Sequence, residues 1–270
     1  MAAYDVELGV DAPSHLDLYR ETHGRPTDQP PLLLLHGGGS TIDSNFGALL
    51  PWLTPTRQVL AVELQGHGRT PSTGRTPSFE CSADDVAAVL ADHQLPTGVD
   101  VLGFSNGGHV ALQLAIRHPH LVRRQIIASA SFRRDGMIEG FWEGLASATT
   151  RDLPVAYRRE DERLNPHRPH HTEELFATDQ GQMMRFEDWD EKTLRAITCP
   201  TLVVAADRDV VRPSHSVDLA SLIPDARLLI VPGNHGDYLG ELLGAGGDTH
   251  AMHRTLPFLL DFLDGTDPTH

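Results

Sequence analysis

Residues 101–115 read VLGFSNGGHVALQLA. Val101 and Leu102 continue an apolar run that opens at Val99, and Val110, Ala111, Leu114 and Ala115 fall at helical spacing. Between them, Gly103-Phe104-Ser105-Asn106-Gly107 has the pattern G-x-S-x-G. A buried strand that turns this sharply into a helix brings neighbouring backbones together, and a Cβ at either flanking position would collide. Such a turn lifts the Ser105 hydroxyl clear of the sheet, at a helix N-terminus that favours developing negative charge. A plain tight turn can use the same letters, so the rest of the chain has to decide whether Ser105 is a nucleophile.

Outward from this stretch, similar apolar runs recur at 32–36, 58–64, 124–129, 200–206 and 226–232. Continuous runs fit strands covered on both faces, as in parallel sheets. Helical patterns lie between most of them. Val86, Val89, Leu90 and His93 follow Ser82, which reads as an N-cap, and Leu256, Leu259, Leu260 and Leu263 form a closing stripe. At the start, Tyr4, Val6, Leu8 and Val10 alternate, as do Leu16 and Leu18, which predicts an opening antiparallel pair. Strand–helix alternation implies an α/β fold with a mostly parallel central sheet flanked by helices. The rhythm lapses from about 133 to 195, too long for a plain loop in a compact domain. A helical cap insertion is expected over 133–195, with 1–132 and 196–270 forming the core domain.

The bulk properties narrow the function. A length of 270 residues with 40% hydrophobic and 22% charged residues suits one large globular domain. A formal net charge of −15 repels phosphate backbones and argues against nucleic acid as a partner. No run approaches the roughly 18 apolar residues of a membrane span. The start, MAAYDVELGV, has no basic flank followed by an apolar stretch, so no secretory signal is expected. Cys81 and Cys199 are the two cysteines, too few for a disulfide framework; both are read as packing residues, in a cytoplasmic protein.

A serine hydroxyl needs a base. Among sixteen histidines, His235 follows the last apolar run within a glycine-flanked loop, where an open parallel sheet gathers its reactive groups. His109 and His118 are carried away by the helix after Ser105, and His250 and His253 belong to the approach to the final helix. The base in turn needs a carboxylate, and Asp207 and Asp209 at the end of the 200–206 run are both candidates.

At this point the chain resembles the α/β-hydrolase superfamily, in its serine esterase-like branch with a helical cap. The resemblance rests on HGGGS (36–40), LQGHGRT (64–70), GFSNGG (103–108), ADRDVV (206–211) and GNHG (233–236), and it covers nearly the whole chain. It implies the order Ser105, Asp209, His235 for the catalytic residues. The family's acid usually closes a G-x-x-D segment. Here Ala206 replaces that glycine, which keeps Asp207 as an alternative to the matching Asp209. The resemblance also implies an oxyanion hole made by the backbone N–H of Asn106 and of Gly38, with Gly39 as the alternative to Gly38. His36 is expected to fix this loop by hydrogen bonds. LQGHG, which departs from the commoner D-x-R-G-x-G, reads as a structural turn.

The expected chemistry is two-step acyl transfer on a small carboxylic ester, with no cofactor and no metal. The same triad serves C–C bond hydrolases, lactonases, perhydrolases and aminopeptidases, and a low-turnover ligand-binding receptor can share the fold. Phe104, Trp142, Met184 and Trp189 are expected at the substrate; Phe141, Tyr157, Phe176, Met183 and Phe186 of the insertion are further candidates for the pocket wall, most of them expected in the insertion's own small core and one or two serving both. HRPHH (167–171) reads as a solvated loop rather than a metal site, and the charges of 158–163 as a solvated helix face.

Overall fold

The computed structural model describes residues 15–93 and 98–266. Its sheet has seven strands in the order β1-β3-β2-β4-β5-β6-β7. These are β1 (Arg20–His23), β2 (Leu32–Leu35), β3 (Val59–Val62), β4 (Val99–Phe104), β5 (Val122–Ala128), β6 (Thr201–Arg208) and β7 (Ala226–Asn234). Only β1 runs antiparallel, pairing Arg20 with Val62 and His23 with Val59. The other five pairings are parallel, for example Leu34 opposite Ala61 and opposite Leu102. This is the α/β architecture that the sequence implies.

Why continuous apolar runs mark these strands is visible in β2. Leu33 and Leu35 pack with Val86 and Leu90 of α3 (Phe79–Asp92) and with Val110 and Leu114 of α4 (Asn106–Arg117). Leu32 and Leu34 face the other way. They pack with Ile42 and Phe46 of α1 (Ile42–Phe46), with Leu50 and Leu53 of α2 (Leu50–Leu53), and with Met252, Leu256 and Leu259 of the final helix, His250–Asp264. Successive side chains point to opposite faces, so a strand covered twice, as β2 is, reads as a near-continuous apolar run. Burying each such leucine stabilises the fold by roughly 1.5–3 kcal/mol before entropy is counted.

Three local expectations change. β7 forms the sheet's edge, and Leu228 and Ile230 on its outer side are 38% and 39% exposed, so this apolar run is covered on one face only. Helix α3 is capped by Ser78, whose side chain accepts from Cys81 N–H, and Ser82 lies buried inside the helix. Leu16 and Leu18 precede β1 without forming a strand, and the alternation at 4–10 lies outside the described residues.

Between β5 and β6 come a 3-10 turn and four helices: α5 (Phe141–Ser147), α6 (Val155–Leu164), α7 (His171–Met184) and α8 (Glu191–Arg195). This excursion is held partly by buried polar contacts. Asp161, expected on a solvated face, is buried and bonds His171 Nδ1 at 2.5 Å. His171 is therefore a buried partner of α6 rather than part of a solvated loop. The reason is amphipathic phase: Tyr157 and Asp161, four residues apart, share the inward side of α6.

Candidate active site

The turn at Ser105 is built as its letters require. Ser105 has φ 53° and ψ −117°, a conformation rare outside glycine that costs on the order of 1–3 kcal/mol and persists only when its surroundings impose it. They do so by contact. A Cβ on Gly107 would lie 2.0 Å from Leu35 O, and one on Gly103 2.2 Å from Gly107 O. Ser105 N–H donates to Ala128 O at 2.8 Å, which ties the turn to β5.

Beyond the carboxyl ends of the strands lies a cavity of about 280 Å³. Ser105, Asn106, Gly38 and His235 line it, together with Phe141, Phe176 and Met183 from the excursion. His235 Nδ1 is 2.6 Å from Asp209 Oδ1, although 26 residues separate the two. Asp207 points elsewhere: it is exposed and accepts from Gly233 N–H at 2.9 Å. The Ser105 hydroxyl makes no hydrogen bond among the described residues, and it shares the cavity wall with His235.

Asp209 is held on every side. Its Oδ2 accepts from Ser129 Oγ and from Ala206 N–H, and its Oδ1 from Val211 N–H. Because the Ser129 proton goes to the carboxylate, Tyr238 donates its own to Ser129 Oγ, at 2.5 Å. Burial works to raise the Asp209 pKa. The bond and charge of His235, with the Ser129 and Ala206 bonds, outweigh it and hold the carboxyl below its ordinary value. Ser129 also has a positive φ, 52°, at the end of β5. Nothing in the sequence patterns marked Ser129 or Tyr238, because their partner is met only in the folded sheet.

On the glycine loop after β2, Gly37 N–H donates to Asn45 Oδ1 at 2.7 Å and Gly39 N–H to Asp179 Oδ2 at 2.5 Å. Gly38 N–H has no acceptor among the described residues. The Asn106 N–H opens α4, where first-turn amides lack helical partners. His36 fixes the loop: Nε2 accepts from Leu64 N–H at 3.0 Å, so Nδ1 carries the proton and donates to Gly37 O at 2.8 Å. Burial, with the neighbouring His67, pushes His36 down to about 3, so it stays neutral.

Two residues of this region escaped the sequence reading. His67, in the segment read as a structural turn, faces acceptors with both ring nitrogens: Gln65 O at 3.0 Å from Nδ1 and Asp179 Oδ1 at 3.0 Å from Nε2. Burial disfavours its charge, yet Asp179 outweighs burial and raises the His67 pKa. Asp179 comes from α7 and is held below its ordinary pKa, burial being overcome by His67 and the Gly39 N–H.

The four expected substrate residues lie outside the cavity lining. Phe104 is buried beneath it, its ring 4.6 Å from that of His235. Trp142 donates Nε1–H to Arg134 O and lies under the Arg134 guanidinium. Trp189 donates to Glu80 Oε1 and packs on Phe79 and Phe186. Met184 is exposed, whereas Met183, about 100° around α7, faces the cavity. His109 does line the cavity, contrary to expectation. Its Nδ1 donates to Ser105 O at 3.0 Å, and burial lowers its pKa to about 4.

A family model described as the alpha/beta hydrolase family matches residues 32–255, which include both the Ser105 turn and the Asp209–His235 pair. The chain belongs to the alpha/beta hydrolase family. Among its relatives, a pimeloyl-[acyl-carrier protein] methyl ester esterase of Neisseria meningitidis is 40% identical over 139 residues, 52% of this chain and 51% of the relative. The chain thus spans about half the length of the curated esterases it matches first. A 2-hydroxymuconate semialdehyde hydrolase of a Pseudomonas species is 28% identical over 73% of this chain and 77% of its own. A solved meta-cleavage product hydrolase of Pseudomonas fluorescens shares the fold, with a TM-score of 0.74 at 18% identity, over 93% of this chain and 96% of that one. No described helix of this alpha/beta hydrolase is long and apolar enough to cross a membrane.

Proposed function

We propose that the chain is a serine hydrolase that cleaves small carboxylic esters through an acyl-enzyme. The observation that carries this reading is the Asp209–His235 pair opening onto the same apolar cavity as a serine on a strained strand-to-helix turn. With its Nδ1 proton bonded to Asp209, His235 has Nε2 free to accept a proton. Ser105 Oγ rotates towards it as an ester carbonyl enters, since catalytic contacts often form only with substrate bound. Oγ attacks the carbonyl carbon while Nε2 takes the hydroxyl proton. The N–H groups of Gly38 and Asn106 stabilise the oxyanion, and the imidazolium returns the proton to the departing alcohol. Water, deprotonated by His235, then cleaves the acyl-enzyme and releases the acid.

In this reading residues 133–195 form a cap whose helices α5 and α7 roof the cavity, over a core of 1–132 and 196–270. The two free thiols fit a reducing cytoplasm. Ester hydrolysis is favoured over hydrolysis of a muconate-type C–C bond because no lysine or arginine is among the described residues lining the cavity to pair with such a substrate's carboxylate. Short-chain p-nitrophenyl esters test the proposal: turnover that Ser105→Ala lowers at least a thousandfold supports it. Turnover that survives this substitution overturns it.

A further inference from the structure

We propose that Asp179 sets the charge specificity of this site, admitting esters whose acyl chain is neutral or cationic near the carbonyl and rejecting those that carry a carboxylate there. The inference rests on the ester-hydrolase reading and adds a specificity residue to it. Asp179 reaches down from α7 and touches both sides of the proposed oxyanion hole. Its Oδ2 accepts from Gly39 N–H at 2.5 Å, and its Oδ1 from Asn106 Nδ2 at 3.1 Å. A Cβ built on Gly38 would come within 3.1 Å of Oδ2, so the carboxylate lies against the loop that would bind the substrate carbonyl oxygen.

Its counter-ion does not cancel this charge from the substrate's side. His67 sits behind Asp179, 3% exposed, with its far nitrogen on Gln65 O, whereas Asp179 lines the cavity and His67 does not. The ion pair therefore presents its negative end inward. The other titratable groups on the wall are His109, kept neutral by burial, and His235, already paired with Asp209. Around them stand Met137, Phe141, Leu145, Leu153 and Phe176, which offer an incoming anion no donor, and Gln180, whose amide NH2 already donates to Leu145 O and Ala148 O. Like charges within several ångströms across apolar walls repel far more strongly than in water. An ammonium or a hydroxyl on the acyl chain would instead meet an acceptor.

The test uses three fluorophosphonates of equal length, with a neutral, a trimethylammonium and a carboxylate tail, and reads the rate at which each phosphonylates the protein. Three p-nitrophenyl esters of matching charge are run in parallel. In the wild type the anionic reagent should react at least tenfold more slowly than the neutral one, and the cationic one no more slowly. Asp179→Asn should cut that anionic penalty at least fivefold, while Glu143→Gln, which removes an exposed carboxylate of α5, should leave it in place. Equal rates for all three tails in the wild type would overturn the proposal without any variant being made. A penalty shared equally by Asp179→Asn and the wild type would also overturn it, and would assign the effect to the net charge of −15. If the phosphonates discriminate but no ester is cleaved, the charge filter stands and the ester-hydrolase reading falls.

Discussion

Replacing Asp209 by asparagine changes one atom and should nearly abolish turnover, because the neighbours decide how the new amide must sit. Oδ2 faces two donors, Ser129 Oγ–H and Ala206 N–H, whereas Oδ1 meets, besides His235, the longer contact from Val211 N–H at 3.3 Å, so the amide oxygen is held on the Oδ2 side. The amide NH2 is then left at the Oδ1 position, 2.6 Å from His235 Nδ1 in the parent. Facing a donor, Nδ1 becomes the acceptor and the ring proton moves to Nε2. Nε2 can then no longer take the Ser105 proton. A wrong tautomer in a Ser-His-Asp site costs about 10⁴ in kcat, or about 5.5 kcal/mol of barrier at 1.36 kcal/mol per decade. The assay is kcat on p-nitrophenyl butyrate near pH 7.5, with thermal unfolding as the check on folding. Asp207→Asn serves as the control; this exposed carboxylate bonds Gly233 N–H, and its loss should cost less than about threefold, within the ±0.5 kcal/mol usual for surface changes. An Asp209→Asn protein within tenfold of the parent would refute the tautomer argument. A larger loss at Asp207 would move the acid's role there.

Gly107→Ala should leave little soluble protein, since its Cβ would meet the Leu35 carbonyl oxygen at 2.0 Å, a backbone atom held in β2, whereas Gly144→Ala, with open space around it, should fold and unfold like the parent. Circular dichroism melts of the two variants check this, and a parent-like melt for Gly107→Ala would contradict the geometry of the turn. The His67–Asp179 pair should give stability a bell-shaped dependence on pH. Asp179, with its folded pKa lowered, contributes above its unfolded value and loses that contribution as pH falls through the folded one; His67, with its pKa raised, contributes fully below about 6.5 and loses it as pH rises through the folded value. The difference in melting temperature between wild type and Asp179→Asn should therefore peak between those two pKa values, at several degrees for a charged hydrogen-bonded pair worth about 1.5–3 kcal/mol. A difference that stays constant from pH 4 to 9 would count against the ion pair.

What could be read from the sequence follows from where the information lies. The doubly covered strands announce themselves because a strand such as β2, Leu32–Leu35, carries an apolar side chain on each face in turn. The Ser105 turn does so because Gly103 and Gly107 are each required by a contact within 2.2 Å of backbone. An edge cannot be read this way: the run at 226–232 looks like its neighbours, and only the sheet order leaves its outer side uncovered. Ser82 misled as a cap because the helix begins a turn earlier, at Phe79, with its N-terminal N–H groups served by Ser78. Asp179 was invisible for a different reason. It is one polar residue in a helix without strong apolar patterning, and it gains meaning only by meeting His67, 112 residues earlier. Met183 and Met184 differ by one helical step, too fine a phase for periodicity to resolve in such a helix.

Intact-protein and peptide mass spectrometry after treatment with a neutral fluorophosphonate puts the whole account to its simplest trial. One adduct per chain is the forecast, on the peptide containing residue 105, absent from Ser105→Ala and slowed at least a hundredfold in a folded His235→Ala protein. A protein that stays unmodified, or that carries the phosphonyl group on another side chain, would mean that this hydroxyl is not the reacting group.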